Sequence, residues 1–256
     1  MKETRIIMGM PVIIEIPDDS VVKEIFNLIF DYFSYIDEKF SLYKETSEIT
    51  KINKGEIKED EYSEDMKEVL KLSEETKKET GGFFDIMNNG LCDPSGIVKG
   101  WAIHNASEIL RRNKIKNFYV EAGGDIEVEG KNNDGKLWAI GIANPFDLKQ
   151  VVKVVYLENK GIATSGTYIR GQHIYNPKKF AEVVAEVGLP QDIVSLTVIG
   201  PNAYEADRFA TAAFAMGREG IIFIENLPGF EGYMIDKDGI AIMTNGFEKY
   251  LIQKNA

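Results

Sequence analysis

The sequence predicts an α+β fold in one domain spanning residues 1–256. Three observations carry this. Helical periods fill most of the first 112 residues, whereas residues 117–164 break into short β-rich runs separated by glycine, asparagine and aspartate turns. No low-complexity linker divides the two textures. At 256 residues the chain is long enough to bury roughly 70–75% of its unfolded surface.

Residues 5–16 alternate and are rich in β-formers, which predicts a strand ending at Pro17-Asp18-Asp19-Ser20. From Val21 to about Phe40, apolar residues recur at Val22, Ile25, Phe26, Ile29, Phe33 and Ile36, the spacing of an amphipathic helix. Ser47 with Thr50 and Asn53 reads as a short capped turn of helix, and residues 62–79 as a second long helix with a charged outer face. Gly81–Gly100, GGFFDIMNNGLCDPSGIVKG, has no strong period and reads as an ordered binding loop. A helix is expected from Val98 to about Arg112, with His104 on its outer, solvent-facing part. Strands are expected near 117–121, 125–130, 136–142, 151–157, 161–164 and 194–199, with hairpins at Gly123-Gly124 and Asn133-Asp134-Gly135. Ala206–Gly217, ADRFATAAFAMG, is an alanine-rich helix that Asn202 can cap and Gly217 can end. A short helix near 218–226 and two or three strands from Tyr233 to Ile252 complete the chain.

Composition removes several classes of function. A net charge of −11 and a pI near 4.9 argue against nucleic acid and against an anionic membrane surface. No run of 18 apolar residues predicts a transmembrane span, and the N-terminus lacks a signal-peptide pattern. Read as it stands, the chain is expected in the cytoplasm, unless a leader was trimmed. A single cysteine, Cys92, excludes an intramolecular disulfide framework. Two histidines and one cysteine cannot build an ordinary zinc site. There is no Walker lysine motif, no G-x-G-x-x-G after a strand and no G-x-S-x-G elbow.

Four clusters stand apart from core patterning. Asp207 lies inside its helix with Thr211 four residues on, on the same face. Two readings of it stand: a carboxylate facing water, or half of a hard-cation site, since carboxylate and hydroxyl oxygens suit Mg²⁺. Asp85, Asp93 and Lys99 sit among the glycines of 81–100, with Lys99 near a helix start where an anion would also meet backbone amides. Glu121–Asp125, EAGGD, reads first as a hairpin turn. Ala163–Pro177 concentrates Ser, Thr, Tyr and Arg around His173, whose ordinary titration range suits a general base.

Taken in order, these clusters resemble the ApbE family, the FAD:protein FMN transferases. The resemblance runs from Met8-Gly9 through Ser41-Leu42-Tyr43, Ser47-Glu48-Ile49 and Ile52-Asn53 to Gly82-Phe83-Phe84-Asp85. It continues with Asp93, Lys99 and Gly100, Gly123-Gly124-Asp125, Trp138 with Pro145, Thr164-Ser165-Gly166, His173 with Pro177, and Ala206-Asp207 with Thr211. Two motifs depart from the family's pattern. Met10 stands where a threonine is usual, and Asn176 stands where His-x-x-Asp-Pro has its aspartate.

The resemblance implies a T-fold-type domain of mixed and antiparallel sheets with packed helices, and a flavin site between its two halves. It places Met8 and Tyr43 against the isoalloxazine ring. Phe83, Phe84, Asp85, Asp93, Lys99 and Tyr175 would hold the rest of FAD. Mg²⁺ would bind Asp207, Thr211 and the Gly96 carbonyl at the pyrophosphate. The implied reaction moves FMN from FAD to a Ser or Thr hydroxyl of an acceptor flavoprotein and releases AMP, with His173 taking the hydroxyl proton. Two alternatives remain open at this stage: an Mg²⁺-dependent FAD pyrophosphatase, and an FAD-binding protein without turnover. Many relatives are exported or lipid-anchored.

Overall fold

The N-terminal alternation is two strands rather than the single one expected. β1 (Lys2–Ile7) and β2 (Met10–Glu15) form an antiparallel hairpin whose turn residues, Met8 and Gly9, have φ of 57° and 69°. Two left-handed residues in succession make the turn whose twist matches paired strands. The computed structural model describes residues 1–18, 23–88, 90–167 and 192–252.

Four helices follow within the first half. α1 (Lys23–Phe40) buries Phe26, Ile29, Phe30, Phe33 and Ile36 along its predicted stripe. α2 (Glu48–Lys54) starts where the Ser47 hydroxyl accepts the Thr50 N–H at 3.1 Å. α3 (Glu64–Glu79) is capped in the same way by Ser63. The stretch after it is not simply a loop: β3 (Met87–Asn88) and β4 (Leu91–Cys92) pair as a small hairpin. α4 (Ser95–Arg112) then begins three residues earlier than the hydrophobic pattern suggests, because glycine at 96 hides the first turn from a count of apolar residues.

The second half supplies most of the sheet. Its strands are β5 (Phe118–Ala122), β6 (Asp125–Glu129), β7 (Trp138–Asn144), β8 (Asp147–Leu157), β9 (Lys160–Gly166) and β10 (Ile193–Gly200). α5 (Ala203–Met216), the short α6 (Gly220–Glu225), β11 (Glu231–Asp236) and β12 (Ala241–Met243) follow. Eight strands form one sheet in the order β1-β2-β5-β6-β9-β10-β11-β12, each antiparallel to its neighbours. The Asn133-Asp134-Gly135 turn does not make the expected hairpin. It carries the chain from β6 to β7, which leaves the main sheet and pairs with β8 alone.

Period-two alternation sorts the two faces. On one face, Val12, Ile14, Phe118 and Val120 meet Phe26, Phe30, Phe33 and Trp101 of α1 and α4. Further along it, Ala163, Leu196, Val198 and Met234 meet Phe209, Phe214 and Ile224 of α5 and α6. On the opposite face Ile126, Val128, Ile162 and Ile199 pack against Trp138, Ile140, Val155 and Leu157 of the β7–β8 hairpin. No helix among the described residues is long and apolar enough to cross a membrane.

α4 and α5 approach each other through Gly100. A Cβ there would stand 2.5 Å from the Asp207 Cβ and 2.6 Å from the Ala203 carbonyl oxygen, both on α5. Neither neighbour is the far end of a flexible side chain, so a methyl group must push the helices apart. Gly100→Ala is expected to destabilise the fold by about 1–3 kcal/mol, read as a lower midpoint in thermal unfolding. A variant melting with the parent would refute the close helix crossing.

Candidate functional site

The seam between α4 and α5 holds buried charge. Asp207 is 4% exposed, so its water-facing reading is overturned. Its Oδ2 accepts the Gly100 N–H at 2.7 Å. The Gly96 carbonyl, one turn earlier on α4, accepts the Thr211 hydroxyl of α5 at 3.3 Å. Gly96, Asp207 and Thr211 are therefore brought together at one crossing.

A second carboxylate lies beside the first. Asp125 opens β6 directly after the Gly123-Gly124 turn, whose residues have φ of 58° and 94°. Its Oδ2 is 2.7 Å from the Lys99 ammonium, and its Oδ1 accepts the Thr164 N–H at 3.1 Å. Burial, and next the neighbouring Asp125 charge, push the Asp207 carboxyl well above the ordinary carboxylate range, against the pull of Lys99 and the Gly100 N–H. Two buried acids thus share one ammonium, and the deficit is one positive charge.

A magnesium ion fits this deficit and this donor set. Carboxylate, hydroxyl and carbonyl oxygens are hard ligands, and Mg²⁺ commonly uses one or two carboxylates together with substrate phosphates and water. No group of three or more His, Cys, Asp or Glu among the described residues forms a metal cage. An ion here would draw on Asp207, Thr211, the Gly96 carbonyl and oxygens brought by a ligand.

The remaining expected residues line the approach to this seam or stand apart from it. Phe84 is buried, and its ring lies against the Gly96 position. Phe83 beside it is half-buried. Asp85 pairs with Lys77 at 2.8 Å and accepts the Met87 N–H at 2.9 Å. Asp93 accepts the Ser95 N–H at 2.9 Å, which fixes the start of α4. Lys99 is the fifth residue of α4 rather than its first, and its ammonium is held by Asp125. Met8 is half-buried at the β1–β2 turn, and Met10 packs on Gly123, which joins that turn to the β5–β6 turn. Tyr43 is 97% exposed. His173 and Tyr175 lie outside the described residues.

Sequence reasoning missed part of the machinery. Asp125 belongs to a buried ion pair, not merely to a hairpin turn. His104 is not solvent-facing filler: its Nδ1 sits 3.2 Å from both oxygens of Glu127, which is 1% exposed. The available signal was the run DIEVE at 125–129, where acids alternate with apolar residues. Such alternation ordinarily marks a half-solvated strand; here Asp125 and Glu127 point inward to Lys99, His104 and Arg111 of α4. Asn53 was placed in a short helical turn and by motif, but without its partner. Its amide donates to the Cys92 carbonyl at 2.9 Å and accepts the Cys92 N–H at 2.8 Å, tying α2 to β4 just ahead of Asp93.

Known proteins resemble this chain in sequence and in fold. The ApbE family model matches residues 8–94 and 88–234. A FAD:protein FMN transferase of Haemophilus influenzae is 30% identical over 190 residues, 70% of this chain and 54% of that protein. Another, of Escherichia coli K12, is 30% identical over 169 residues, 63% of this chain and 48% of that one. The chain spans about half the length of the curated relatives it matches. The crystal structure of an ApbE protein from Thermotoga maritima matches with a TM-score of 0.83 at 23% identity, covering 98% of this chain and 99% of that one. The flavin transferase ApbE from Vibrio cholerae matches at 0.82 and 22%, with the same coverage. With the model matching most of its length, the chain belongs to the ApbE family.

Proposed function

We propose that this chain transfers the FMN moiety of FAD to a Ser or Thr hydroxyl of an acceptor flavoprotein, with Mg²⁺ bound and AMP released. The observation that carries the reading is the buried pair Asp125 and Asp207 sharing a single lysine beside Thr211 and the Gly96 carbonyl. Membership of a family whose relatives are named FAD:protein FMN transferases supports it. When bound, magnesium supplies charge neutralisation at the pyrophosphate and polarises the phosphorus on the riboflavin side.

The chain's own groups divide the remaining work. Asp207, Thr211 and the Gly96 carbonyl would hold the ion, and Lys99 pairs with Asp125 beside it. Phe83, Phe84, Asp85, Asp93 and Tyr175 hold the dinucleotide. Met8 and the open face of Tyr43 flank the isoalloxazine, a thioether and an aromatic ring against a flat π-system. The acceptor oxygen forms the new bond to the FMN phosphorus while the bond to AMP breaks, and AMP leaves with the electron pair. The hydroxyl proton passes to His173.

Incubation with FAD, Mg²⁺ and an acceptor flavoprotein tests the reading. Flavin fluorescence that stays with the acceptor through a denaturing gel supports transfer. Free FMN and AMP alone would make the chain a pyrophosphatase, and no AMP at all would make it a binding protein. Asp207→Ala is expected to lower transfer by about 10²-fold or more, since a catalytic metal supplies several kcal/mol of charge stabilisation.

The same carboxylate governs stability when metal is withheld. Asp207 binds its proton more tightly in the folded chain than in the unfolded one, because burial and Asp125 raise it. The folded state therefore binds more protons across this range, and the metal-free fold loses stability as pH rises from about 4 through the raised folded value. Asp207→Asn removes that charge and keeps an acceptor for the Gly100 N–H. In EDTA at pH 8 it is expected to melt above the parent while remaining inactive in transfer. Melting below the parent under those conditions would contradict the charge deficit.

A further inference from the structure

We propose that Glu127 is a positioning residue for the magnesium site, acting through the first turn of α5. The inference rests on the reading of Asp207, Thr211 and Gly96 as ion ligands, and it goes beyond them to what sets their spacing. α5 carries two of those groups and α4 the third, so the site exists only while the two helices keep their register.

Glu127 is buried between them and bonded to both. Its Oε2 accepts the N–H of Ala203, the first residue of α5, at 2.8 Å. Its Oε1 takes the Arg111 guanidinium of α4 at 2.9 Å, and His104 of α4 stands 3.2 Å from both oxygens. Arg111 is itself fixed by Glu129 and Glu108, each at 2.6 Å. Ala203 lies one turn before Asp207, so a shift of that first turn moves Asp207 and Thr211 together.

Helix initiation alone does not call for this carboxylate. Asn202 already caps α5, its side chain accepting the Glu205 N–H at 2.9 Å. Gly161 of β9 leaves no room for a side chain beneath Asn202 and Ala203, so the start of α5 rests on sheet backbone. With the cap provided elsewhere, Glu127 is left to fix where α5 begins relative to α4. A buried carboxylate is costly unless paired, and each of its partners lies on one of these two helices.

The test uses the full chain with FAD and follows the Mg²⁺ concentration giving the half-maximal rise in melting temperature, alongside the Mg²⁺ dependence of FMN transfer. Glu127→Ala is expected to raise both half-saturation values by about tenfold or more, as loss of an outer partner of a metal site does. Turnover at saturating Mg²⁺ is expected to stay within about threefold. Glu127→Gln, whose amide oxygen still accepts the Ala203 N–H, is expected to stay near the parent. If Glu127→Ala does not fold, Glu127→Asp takes its place with the same expectation, because its shorter side chain draws the carboxylate away from Ala203. A lower melting temperature with the parent's Mg²⁺ half-saturation would make Glu127 merely structural and overturn the proposal. Glu127→Gln failing as badly as Glu127→Ala would also overturn it. A parent without any Mg²⁺ response would instead overturn the site reading itself, and that outcome is visible before any variant is made.

Discussion

Two carboxylates buried side by side with one ammonium between them are the constraint on which this molecule is built. Either acid alone would be unremarkable if paired; together, Asp125 and Asp207 are two buried carboxyls beside a single ammonium. Such a site costs several kcal/mol unless a proton or a cation completes it. The surrounding architecture works to hold that cost in place. Gly100 lets α4 and α5 touch, Gly161 lets α5 lie on the sheet, and the small side chains of α5 at 203, 206, 210 and 213 keep its axis close to both neighbours. A fold selected for stability alone would have filled the crossing with apolar side chains. Charge kept where hydrocarbon would serve better is a mark of function.

α5 is held on two sides by consecutive residues. Asp207 turns toward α4, while Arg208 turns toward α3, where it meets Glu79 and Thr76, pairs with Glu205 at 2.6 Å and lies 4.1 Å from the centroid of the Phe209 ring. Arg208 is nearly as buried as Asp207, but its charge is fully answered. The contrast separates the two roles. Arg208 locks the helix; Asp207 remains one positive charge short. Neighbouring residues of one helix thus show a cation met by two partly solvated carboxylates and a buried carboxyl that shares its cation with another.

Most of the element order was legible because it rests on periodicity. The stripe of α1, the serine cap of α2 and the glycine turn before β6 all follow from local rules. What stayed hidden depended on non-local pairing. Nothing in residues 131–137 says that β7 will abandon β6 for β8, because a turn signal fixes a reversal and not a partner. Met8 carries a left-handed φ that its residue type does not advertise, so the first hairpin read as one strand. In the site, Asp207 was legible as an oddity within an alanine-rich helix with Thr211 one turn on, whereas the Gly96 carbonyl came only through the ordered motifs. Glu127 and His104 matched no motif, and their alternating and amphipathic settings point outward by default. Only the packing of β6 beneath α4 turns them inward.

This arrangement also explains why the site is assembled from rigid and irregular parts in different proportions. The groups proposed to hold the ion sit on two long helices pinned to a shared sheet, where a displacement of a fraction of an ångström is resisted by close packing. The groups assigned to the flavin and its dinucleotide come from short segments: the β1–β2 turn, the stretch holding Tyr43, and residues 83–93 between α3 and α4. Charge stabilisation at a phosphorus demands fixed geometry, whereas a flat ring system is held by surface and tolerates adjustment. Tyr43, almost wholly exposed, is proposed for the second kind. Asn53 joins the two regimes, since it fastens α2 to the backbone at Cys92, one residue before Asp93 and three before the start of α4.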